Sequence, residues 1–471
     1  MKQKLFSIIL TFAVMATASA APIDEAKKLF NEGNYQAALE ILKPLAAKSP
    51  RDGNINYWYG ATLNALDRPD EAVSALEKAE SRGVADASLL LAKIATAQYR
   101  PDDARDYYDT YRTQMRKNKK SVPESVEQEI SRLVLMENML SRVEKIAVID
   151  SLVVDADGFF EHYRLSPEAG RLVTGDMARI PDAEMAFVPQ NNTEILYALP
   201  DSAGNFVLMG AGILDDGSVD HPAPLEGDEL AGGGNAEYPF LLSDGLTLYY
   251  ANDGEGSIGG YDIFLTRRSD DGYLQPQNIG MPYNSPYDDY LLAIDETTGA
   301  GWWATDRNRI PGKLTIYVFV PSETRVNVDE DDPNLVALAS LSDIALTREP
   351  GKNYNDILAR IQQLNVNGNV TNAAISAGGS FKIPVGSNKR IYTSVSDFEA
   401  PAAREAMMQA IDARAEISGI EEKLDTLREA YRKGDRSQNV TILNLEHRLD
   451  DARRRLDEYV NRAIEAELGN D

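Results

Sequence analysis

Residues 237–251 read Glu-Tyr-Pro-Phe-Leu-Leu-Ser-Asp-Gly-Leu-Thr-Leu-Tyr-Tyr-Ala, which is two apolar runs joined by Ser-Asp-Gly. The second run recurs at a fixed step of 53 residues, with an aromatic residue before alanine at Tyr197, Tyr250 and Trp303. Apolar runs separated by Asp-Gly and Gly-Gly breaks are typical of antiparallel hairpins. A fixed period of this kind is typical of a β-propeller or a related sheet array. We therefore predict equivalent strands at the three aromatic positions.

The same stretch, followed by Gly-Gly-Tyr-Asp-Ile-Phe at 259–264, resembles the WD40-like propeller repeat of the Tol system's periplasmic propeller protein. It is more similar to the version in envelope proteins of the Bacteroidetes, which joins the propeller to tetratricopeptide repeats. The resemblance implies a small or irregular β-propeller-like domain, which we place at residues 146–325. Three units are fewer than the four to eight blades of an ordinary propeller. We expect the strand at 146–154 and strands within 380–396 to complete it.

Composition excludes several classes of function. A chain of 471 residues is too long for one hydrophobic core, so about two to four domains are expected. The net charge of −26 disfavours nucleic acid as a partner, because phosphate contacts need basic surface. The absence of cysteine from the sequence removes disulfides, thiolate metal sites and cysteine nucleophiles.

The first 20 residues have the pattern of a secretory signal. Lys2 and Lys4 precede an apolar run at 5–15, and Ala-Ser-Ala at 18–20 is a small-x-small cleavage site. The run is shorter than the 18 residues that a membrane span requires, and no later segment is apolar enough to span. No cysteine follows the signal, so a lipoprotein is excluded. We expect an exported, periplasmic protein without a transmembrane span.

Residues 21–145 have a helical period that returns after 34 residues, as in the pairs Ala26–Gly60 and Ala38–Ala72. The spacing and the small residues resemble tetratricopeptide repeats, and a third unit arrives two residues early. The resemblance implies a curved array whose concave face binds a peptide or a partner helix. Its candidate partner-binding residues are Asn54, Tyr57, Asn64 and Lys93. The alternative is that these four positions are solvated or lie between repeats.

Several other motifs have plainer explanations than a site. Gly-Glu-Gly-Ser-Ile-Gly at 254–259 fits a dinucleotide fingerprint, but a strand follows it instead of the required helix, so we predict an inter-strand loop. The register with Tyr249 and Tyr250 predicts that Trp302 and Trp303 are the third copy of a core strand, with one side chain buried and the other between blades. Stacking on a sugar or a peptide is the alternative. The aromatic segment 159–164 is expected to pack between the helical and β parts.

Five acidic residues lie in the loops of the same region. We expect them to stabilise turns by hydrogen bonds to the backbone, and calcium binding is the alternative. They are Asp253, Asp262, Asp288, Asp289 and Asp306.

No catalytic constellation is visible in the sequence. His162, His221 and His447 lack ligand spacing, and no zinc-protease, nucleophile-elbow or phosphate-loop motif is present. We predict a protein that is not an enzyme and that uses no cofactor and no metal.

The last part of the chain returns to helical periodicity. After a linker and mixed segment at 326–399, residues 400–471 show apolar steps of three and four, interrupted at 433–435 by Lys-Gly-Asp. This pattern predicts an antiparallel helical hairpin or coiled coil. Pairing within the chain is the simplest interpretation, and self-association through 400–471 is the alternative.

Together these features predict a multidomain α + β chain: a helical repeat array, a propeller-like domain and a helical hairpin. The functional prediction is a scaffold for other envelope proteins or peptides, in envelope or secretion-machinery assembly. A module that binds an envelope glycan or peptide at the propeller mouth is the alternative. A hydrolase on a propeller scaffold is the third hypothesis.

Overall fold

The computed structural model describes residues 20–468, apart from 181, 215–217, 228–229, 271, 323, 368–380, 382, 386–389 and 433–438. The predicted signal peptide, except for its last residue, lies outside the described residues. The chain divides into two compact units. The first comprises Met1–Tyr163 with Ala169–Lys352, and the second comprises Arg164–Glu168 with Asn353–Asp471.

The first unit begins with helices arranged in pairs. They are α1 (Ala20–Asn31), α2 (Tyr35–Lys48), α3 (Gly53–Ala65), α4 (Pro69–Glu80), α5 (Ala85–Ala97), α6 (Pro101–Lys117) and α7 (Glu124–Leu140). Small residues allow close crossing: a Cβ on Gly60 would lie 2.6 Å from Cγ of the buried Leu76. The turns inside the pairs have positive φ at Gly33, Asp67 and Tyr99. The predicted helical repeats are therefore present, and α7 packs on α6 as a further helix.

The strand-rich part of the first unit follows. Its strands are β1 (Ala147–Asp155), β2 (Arg171–Thr174), β3 (Met185–Val188), β4 (Glu194–Pro200), β5 (Phe206–Ile213), β6 (Val219–Pro224), β7 (Ala236–Leu241), β8 (Thr247–Asn252), β9 (Asp262–Ser269), β10 (Gly272–Tyr273), β11 (Gln277–Asn278), β12 (Asp289–Asp295), β13 (Ala300–Thr305) and β14 (Lys313–Val320). Two short helices, α8 (Gly175–Ala178) and α9 (Leu335–Ser340), accompany them.

The described strands of this unit form three antiparallel sheets. Their orders are β2-β3-β4-β5-β6, then β7-β8-β9 with β10 and β11 beside β9, then β12-β13-β14-β1. Tyr197, Tyr250 and Trp303 lie on β4, β8 and β13, the second strands of the three repeated units, so the predicted equivalence is confirmed. β1 pairs with β14 from Ala147 to Asp155, which confirms that the strand before the repeats joins a sheet. The three sheets remain separate, so a closed propeller stays a prediction.

Neighbouring sheets pack through their first strands. β7 contacts β3, β4 and β5, and β12 contacts β7, β8 and β9. Phe187 and Phe240 meet with ring centroids 4.7 Å apart between the first two sheets. Trp302 and Trp303 are both buried, and Trp303 packs against Tyr317 at 5.1 Å, so these two residues are core.

The aromatic segment after β1 packs on the sheets, and not between the helices and the sheets as predicted. Phe159 lies 5.4 Å from Tyr238 and 5.9 Å from Tyr290, measured between ring centroids. The Tyr163 hydroxyl donates to the Leu291 carbonyl at 2.7 Å. Gly158, with φ 68°, starts the short 3-10 turn that places these rings beside the first strands of the second and third sheets.

The helices and the sheets share one core. Met136, Met139 and Val143, from α7 and the segment after it, cluster with Ile258 and Met281 of the strand-rich part. The Glu144 amide also donates to the Met281 carbonyl at 2.8 Å. The predicted boundary at residue 145 is therefore a junction inside one compact unit.

The second unit contains α10 (Asn355–Asn367), β15 (Ile383–Val385), β16 (Arg390–Tyr392), α11 (Pro401–Arg432) and α12 (Asn439–Leu468). β15 and β16 were predicted to complete the central sheets, but they pair with each other in a two-stranded sheet. The reason is packing: Ile383, Val385 and Tyr392 are buried in a cluster with residues of α11 and α12.

α11 and α12 pair within the chain, as the sequence predicts. Ile417 and Leu424 of α11 share a buried cluster with Leu445 of α12. Their direction is antiparallel, because Arg455 pairs with Glu416 at 2.8 Å while the later Arg462 bonds to the earlier Gln409.

Gly60→Ala tests the close helix crossing. We expect the substitution to lower the free energy of unfolding by about 1 kcal/mol, because overpacking costs ~1–3 kcal/mol and the gain in helix propensity returns ~1 kcal/mol. Urea denaturation followed by circular dichroism measures the difference. Ser74→Ala, which introduces the same residue type at an exposed position of α4, is the control and should be close to neutral. An unchanged midpoint for Gly60→Ala would show that α3 and α4 can separate at little cost.

Candidate functional site

Three of the four predicted partner-binding residues lie on one face of α3. Asn54, Tyr57 and Asn64 are three and seven residues apart, a spacing that returns to the same side of a helix. Asn54 is exposed, and the other two are half-buried. The helix starts just before them because the Asp52 carboxylate accepts a hydrogen bond from the Ile55 amide at 3.0 Å.

Charged residues on α5 and α7 extend this face. Lys93 Nζ lies 2.8 Å from Glu129 Oε1 on α7, so the fourth predicted residue is already held by an ion pair within the chain. Burial raises the pKa of Tyr57, and the nearby Asp86 carboxylate on α5 raises it further. We call this set the first-helix surface: Asn54, Tyr57, Asn64, Asp86, Lys93 and Glu129.

Two members of the first-helix surface, Asp86 and Glu129, were not predicted from the sequence. The third unit arrives two residues early, so the position equivalent to Asn54 lies 32 residues later, at Asp86. The repeat period could therefore have identified Asp86. Glu129 gave no such signal, because it lies on α7, which follows the third repeat unit.

A second polar surface forms where the first strands of the sheets begin. Glu184, Glu237 and Tyr290 follow the 53-residue step. The Tyr238 hydroxyl donates to Glu184 at 2.8 Å, and the Tyr261 hydroxyl donates to Glu237. The Tyr290 ring lies 5.6 Å from the rings of Tyr238 and Tyr261, measured between centroids. We call these five residues the tyrosine–glutamate cluster.

Burial dominates the electrostatics of this cluster. It raises the pKa of Glu237, while the hydrogen bond from Tyr261 lowers that pKa and the carboxylates of Glu184 and Asp253 raise it again. Carboxylates beside aromatic faces can hold a cationic or a hydroxyl-bearing group. The 53-residue step linked Glu184 to Glu237, but strand spacing alone did not show that the two carboxylates would share a tyrosine cluster.

The acidic loop residues organise the backbone. Asp262 accepts hydrogen bonds from the amides of Ile258 and Gly259, at 3.0 and 3.3 Å. Asp288 accepts from the Tyr261 amide at 2.7 Å. Among the residues that the structure describes, no group of three or more histidine, aspartate or glutamate side chains could hold a metal ion.

The glycine-rich loop between β8 and β9 is a packing element. A Cβ on Gly254 would lie 2.6 Å from the Ala231 carbonyl oxygen, and one on Gly259 would lie 2.2 Å from that of Tyr287. These glycines therefore let three backbone segments approach closely. The predicted inter-strand loop is confirmed, since the segment joins two strands.

A buried ion pair lies at the edge of the third sheet. Arg307 Nη2 is 2.7 Å from Asp289 Oδ1, and both side chains are almost fully buried. The guanidinium also donates to the carbonyls of Pro282 and Tyr283, at 2.9 and 2.6 Å. Burial raises the pKa of Asp289, and Arg307 opposes that rise. A buried pair that is hydrogen-bonded on all sides orders loops and leaves little freedom for proton transfer.

The histidines are dispersed. His162 is exposed, and His221 is an exposed residue whose Nδ1 lies 2.6 Å from Asp220. The His447 side chain lies outside the described residues. The prediction that the chain is not an enzyme stays a prediction.

Comparison with known proteins supports the helical repeats. Residues 29–81 match the tetratricopeptide repeat family, a segment that runs from α1 to the end of α4. No curated protein matches the chain significantly. None of the described helices combines the length and the apolar character needed to cross a membrane. The N-terminal part is thus a tetratricopeptide-repeat array, and such arrays bind protein partners.

The raised pKa of Asp306 predicts that the stability of the protein depends on pH. Burial raises its pKa to about 6, and the neighbouring carboxylates of Asp288 and Asp289 add to the rise. The folded state therefore binds this proton more tightly than the unfolded chain, whose aspartates titrate near ~4. The stabilisation from this group is complete below pH ~4 and is lost as the pH rises through about 6.

In Asp306→Asn the free energy of unfolding should fall less steeply between pH 4 and 6, by at most ~1.4 kcal/mol per pH unit. Urea titrations at several pH values measure the slope, and Asp157→Asn at an exposed position is the control. Identical slopes for Asp306→Asn and the unsubstituted protein would contradict the assignment.

Proposed function

We propose that this chain is a non-enzymatic scaffold that binds other proteins or peptides of the cell envelope, in envelope or secretion-machinery assembly. One observation carries the proposal: the first-helix surface runs across α3, which lies in the segment that matches the tetratricopeptide repeat, and continues over α5 and α7. Stacked helix pairs create extended concave surfaces of this kind, and these surfaces bind extended peptides and helices. Its exposed polar residues beside the half-buried Tyr57 suit a polar segment with an aromatic or aliphatic anchor.

The chemistry of the first-helix surface defines the partner further. Asp86 and Glu129 carry negative charge, and Lys93 is already paired with Glu129. The surface therefore favours a partner segment that brings a basic or hydrogen-bond-donating side chain to Asp86. Asn54 and Asn64 can hydrogen-bond the backbone of such a segment through their side-chain amides.

The periplasm is the proposed location. The basic residues, apolar run and small-x-small motif of the first 20 residues support it. The absence of cysteine is compatible with an oxidising compartment, since no thiol is exposed to unwanted pairing.

Export makes a direct prediction. The full-length chain, expressed in a Gram-negative host, should appear in the periplasmic fraction with an N-terminus at Ala21, as read by mass spectrometry of the purified protein. Replacing Lys2 and Lys4 by glutamate should slow export and leave the precursor in the cytoplasm. An intact precursor that stays in the cytoplasm without these changes would contradict the location.

The tyrosine–glutamate cluster supports a second candidate function. Its aromatic faces and carboxylates would suit a glycan or peptide bound where the first strands of the sheets begin. The third hypothesis, a hydrolase, has no comparable support, because the carboxylates of this cluster are hydrogen-bonded to tyrosine hydroxyls. Self-association through residues 400–471 remains a further proposal beside the pairing of α11 with α12.

The scaffold proposal is tested with the triple variant Asn54→Ala, Tyr57→Ala and Asn64→Ala in affinity capture from envelope extracts. We expect the recovery of specific partners to fall about tenfold or more, because truncating an aromatic anchor alone costs ~1–2 kcal/mol or more. Circular dichroism checks that the triple variant is folded.

The matched control carries Glu40→Ala, Ser74→Ala and Lys78→Ala at exposed positions of α2 and α4. Partners that survive the triple variant but are lost from Glu184→Gln with Tyr238→Phe would move the binding function to the tyrosine–glutamate cluster. Recovery that is equal in all variants would refute both surfaces.

A further inference from the structure

The tyrosine–glutamate cluster lies at one end of the three sheets, where their first strands begin. At the same step of the 53-residue repeat, the first two units supply the carboxylates of Glu184 and Glu237, and the third supplies the ring of Tyr290. Glu184 is exposed, and the other four residues of the cluster are half-buried. The repeat therefore brings two carboxylates and an aromatic ring to one end of the sheets, where part of their surface meets solvent.

Two tyrosines of the cluster depart from the repeat. The positions 53 residues before and after Tyr238 and Tyr261 hold apolar residues that are all buried. They are Met185, Leu208, Leu291 and Leu314. A half-buried tyrosine at such a position keeps its ring against the sheet and carries a hydroxyl to the surface. Only the second repeated unit therefore carries polar groups at these two positions, and packing of the sheets does not require them.

The two tyrosine hydroxyls hold the carboxylates and leave acceptors free. The Tyr238 hydroxyl donates to Glu184 Oε2 at 2.8 Å, and the Tyr261 hydroxyl donates to Glu237 Oε2. Burial raises the pKa of both tyrosines, and the neighbouring carboxylates raise it further, so both hydroxyls remain protonated donors. Among the residues that the structure describes, none donates a hydrogen bond to Oε1 of either glutamate. Each carboxylate therefore offers one oxygen to a ligand.

The charge at this end of the sheets is negative. Three aspartates add to it beside the tyrosine rings, namely Asp253, Asp288 and Asp306. In the described part of the chain, no lysine or arginine forms an ion pair with these aspartates or with the two glutamates. The arginines of the neighbouring loops are engaged elsewhere: Arg307 pairs with Asp289, and Arg309 pairs with Asp67. Arg132 of α7 donates to a backbone carbonyl of the glycine-rich loop.

This combination of groups fits a guanidinium better than other ligands. A guanidinium is planar, carries its N–H donors in a fixed fork and stacks on aromatic rings. Its hydrogen bonds to carboxylates are charge-assisted and about twice as strong as neutral ones. A lysine ammonium matches the charge but lacks the planar fork, and a neutral sugar would leave the carboxylates without a counter-charge.

We propose that the tyrosine–glutamate cluster binds an arginine side chain of a partner peptide. The guanidinium donates to the free oxygens of Glu184 and Glu237 and lies against the ring of Tyr290. This assignment rests on the second candidate function, peptide binding at the cluster, and it names the side chain that the cluster recognises. The role of the first-helix surface does not depend on it.

The test uses the full chain labelled with 3-fluorotyrosine and observed by fluorine NMR at physiological salt. Single Tyr→Phe variants assign the resonances of Tyr238, Tyr261 and Tyr290. The probes are acetylated and amidated tripeptides of glycine, X and glycine, in which X is arginine, lysine or citrulline, the uncharged analogue of arginine. We expect the arginine peptide to shift the three resonances and to bind about tenfold more tightly than the citrulline peptide, because its hydrogen bonds are charge-assisted.

Glu184→Gln with Glu237→Gln removes both charges and keeps an oxygen that can accept from each tyrosine. Its affinity for the arginine peptide should fall about tenfold, because only neutral hydrogen bonds remain. Tyr290→Leu removes the ring and should weaken binding about two- to fivefold. The matched control, Glu40→Gln with Glu77→Gln, removes two charges at exposed positions of α2 and α4 and should leave the affinity unchanged. Circular dichroism checks that each variant is folded.

Four results would overturn the arginine assignment. They are equal binding of the citrulline peptide, equal or tighter binding of the lysine peptide, full affinity in Glu184→Gln with Glu237→Gln, and no shift of the three resonances by the arginine peptide. The second candidate function fails separately. If partner capture depends on the cluster, or the trisaccharide of N-acetylglucosamine shifts the resonances, while the arginine peptide does not, the cluster is a binding site for another ligand. If neither ligand shifts them and capture is unaffected, both the assignment and the second candidate function fail.

Discussion

The buried pair of Arg307 and Asp289 is the constraint on which the first unit depends. Asp289 opens β12, and Arg307 lies in the loop after β13, so their 2.7 Å contact closes the edge of the third sheet. The guanidinium also holds the carbonyls of Pro282 and Tyr283 in the segment before β12. Removing one partner would leave an uncompensated buried charge, at a cost of ~3–5 kcal/mol. The loop held this way is the one on which the helical turns rest.

That contact explains why the helices and sheets form one unit. Asp67 reaches Arg309 two residues beyond Arg307, and Tyr99 is buried near the guanidinium. On the other side of the junction, Met139 and Val143 join Met281 in one core. Tetratricopeptide arrays gain stability from neighbours and need a cap at each end. Here the strand-rich part acts as the cap, so the orientation of the first-helix surface relative to the tyrosine–glutamate cluster is set by buried contacts and not by a linker.

Periodicity predicted the elements and their equivalence well. The 53-residue step placed Tyr197, Tyr250 and Trp303 on corresponding strands, and the 34-residue step gave the helix pairs. A period reports which face of an element is buried, but it carries no information about what buries that face. For this reason the strands predicted within 380–396 are present, as β15 and β16, but they were assigned to the wrong sheet. The aromatic segment around Phe159 was misplaced for the same reason, since any apolar surface would have satisfied it.

The candidate sites were harder to predict because they depend on departures from the repeat. Lys93 matched the family pattern, yet Glu129 on a helix outside the recognised repeats pairs with it. Tyr99 departs further, since a tyrosine stands where the preceding turns have Gly33 and Asp67. Residues that break a local rule are retained in a fold when the surrounding structure holds them, and such positions concentrate at functional sites. A buried hydroxyl without a partner at such a position breaks two rules at once. The 34-residue period could not predict this turn, because it carries no information about the burial of the Tyr99 side chain at the junction between the helices and the strand-rich part.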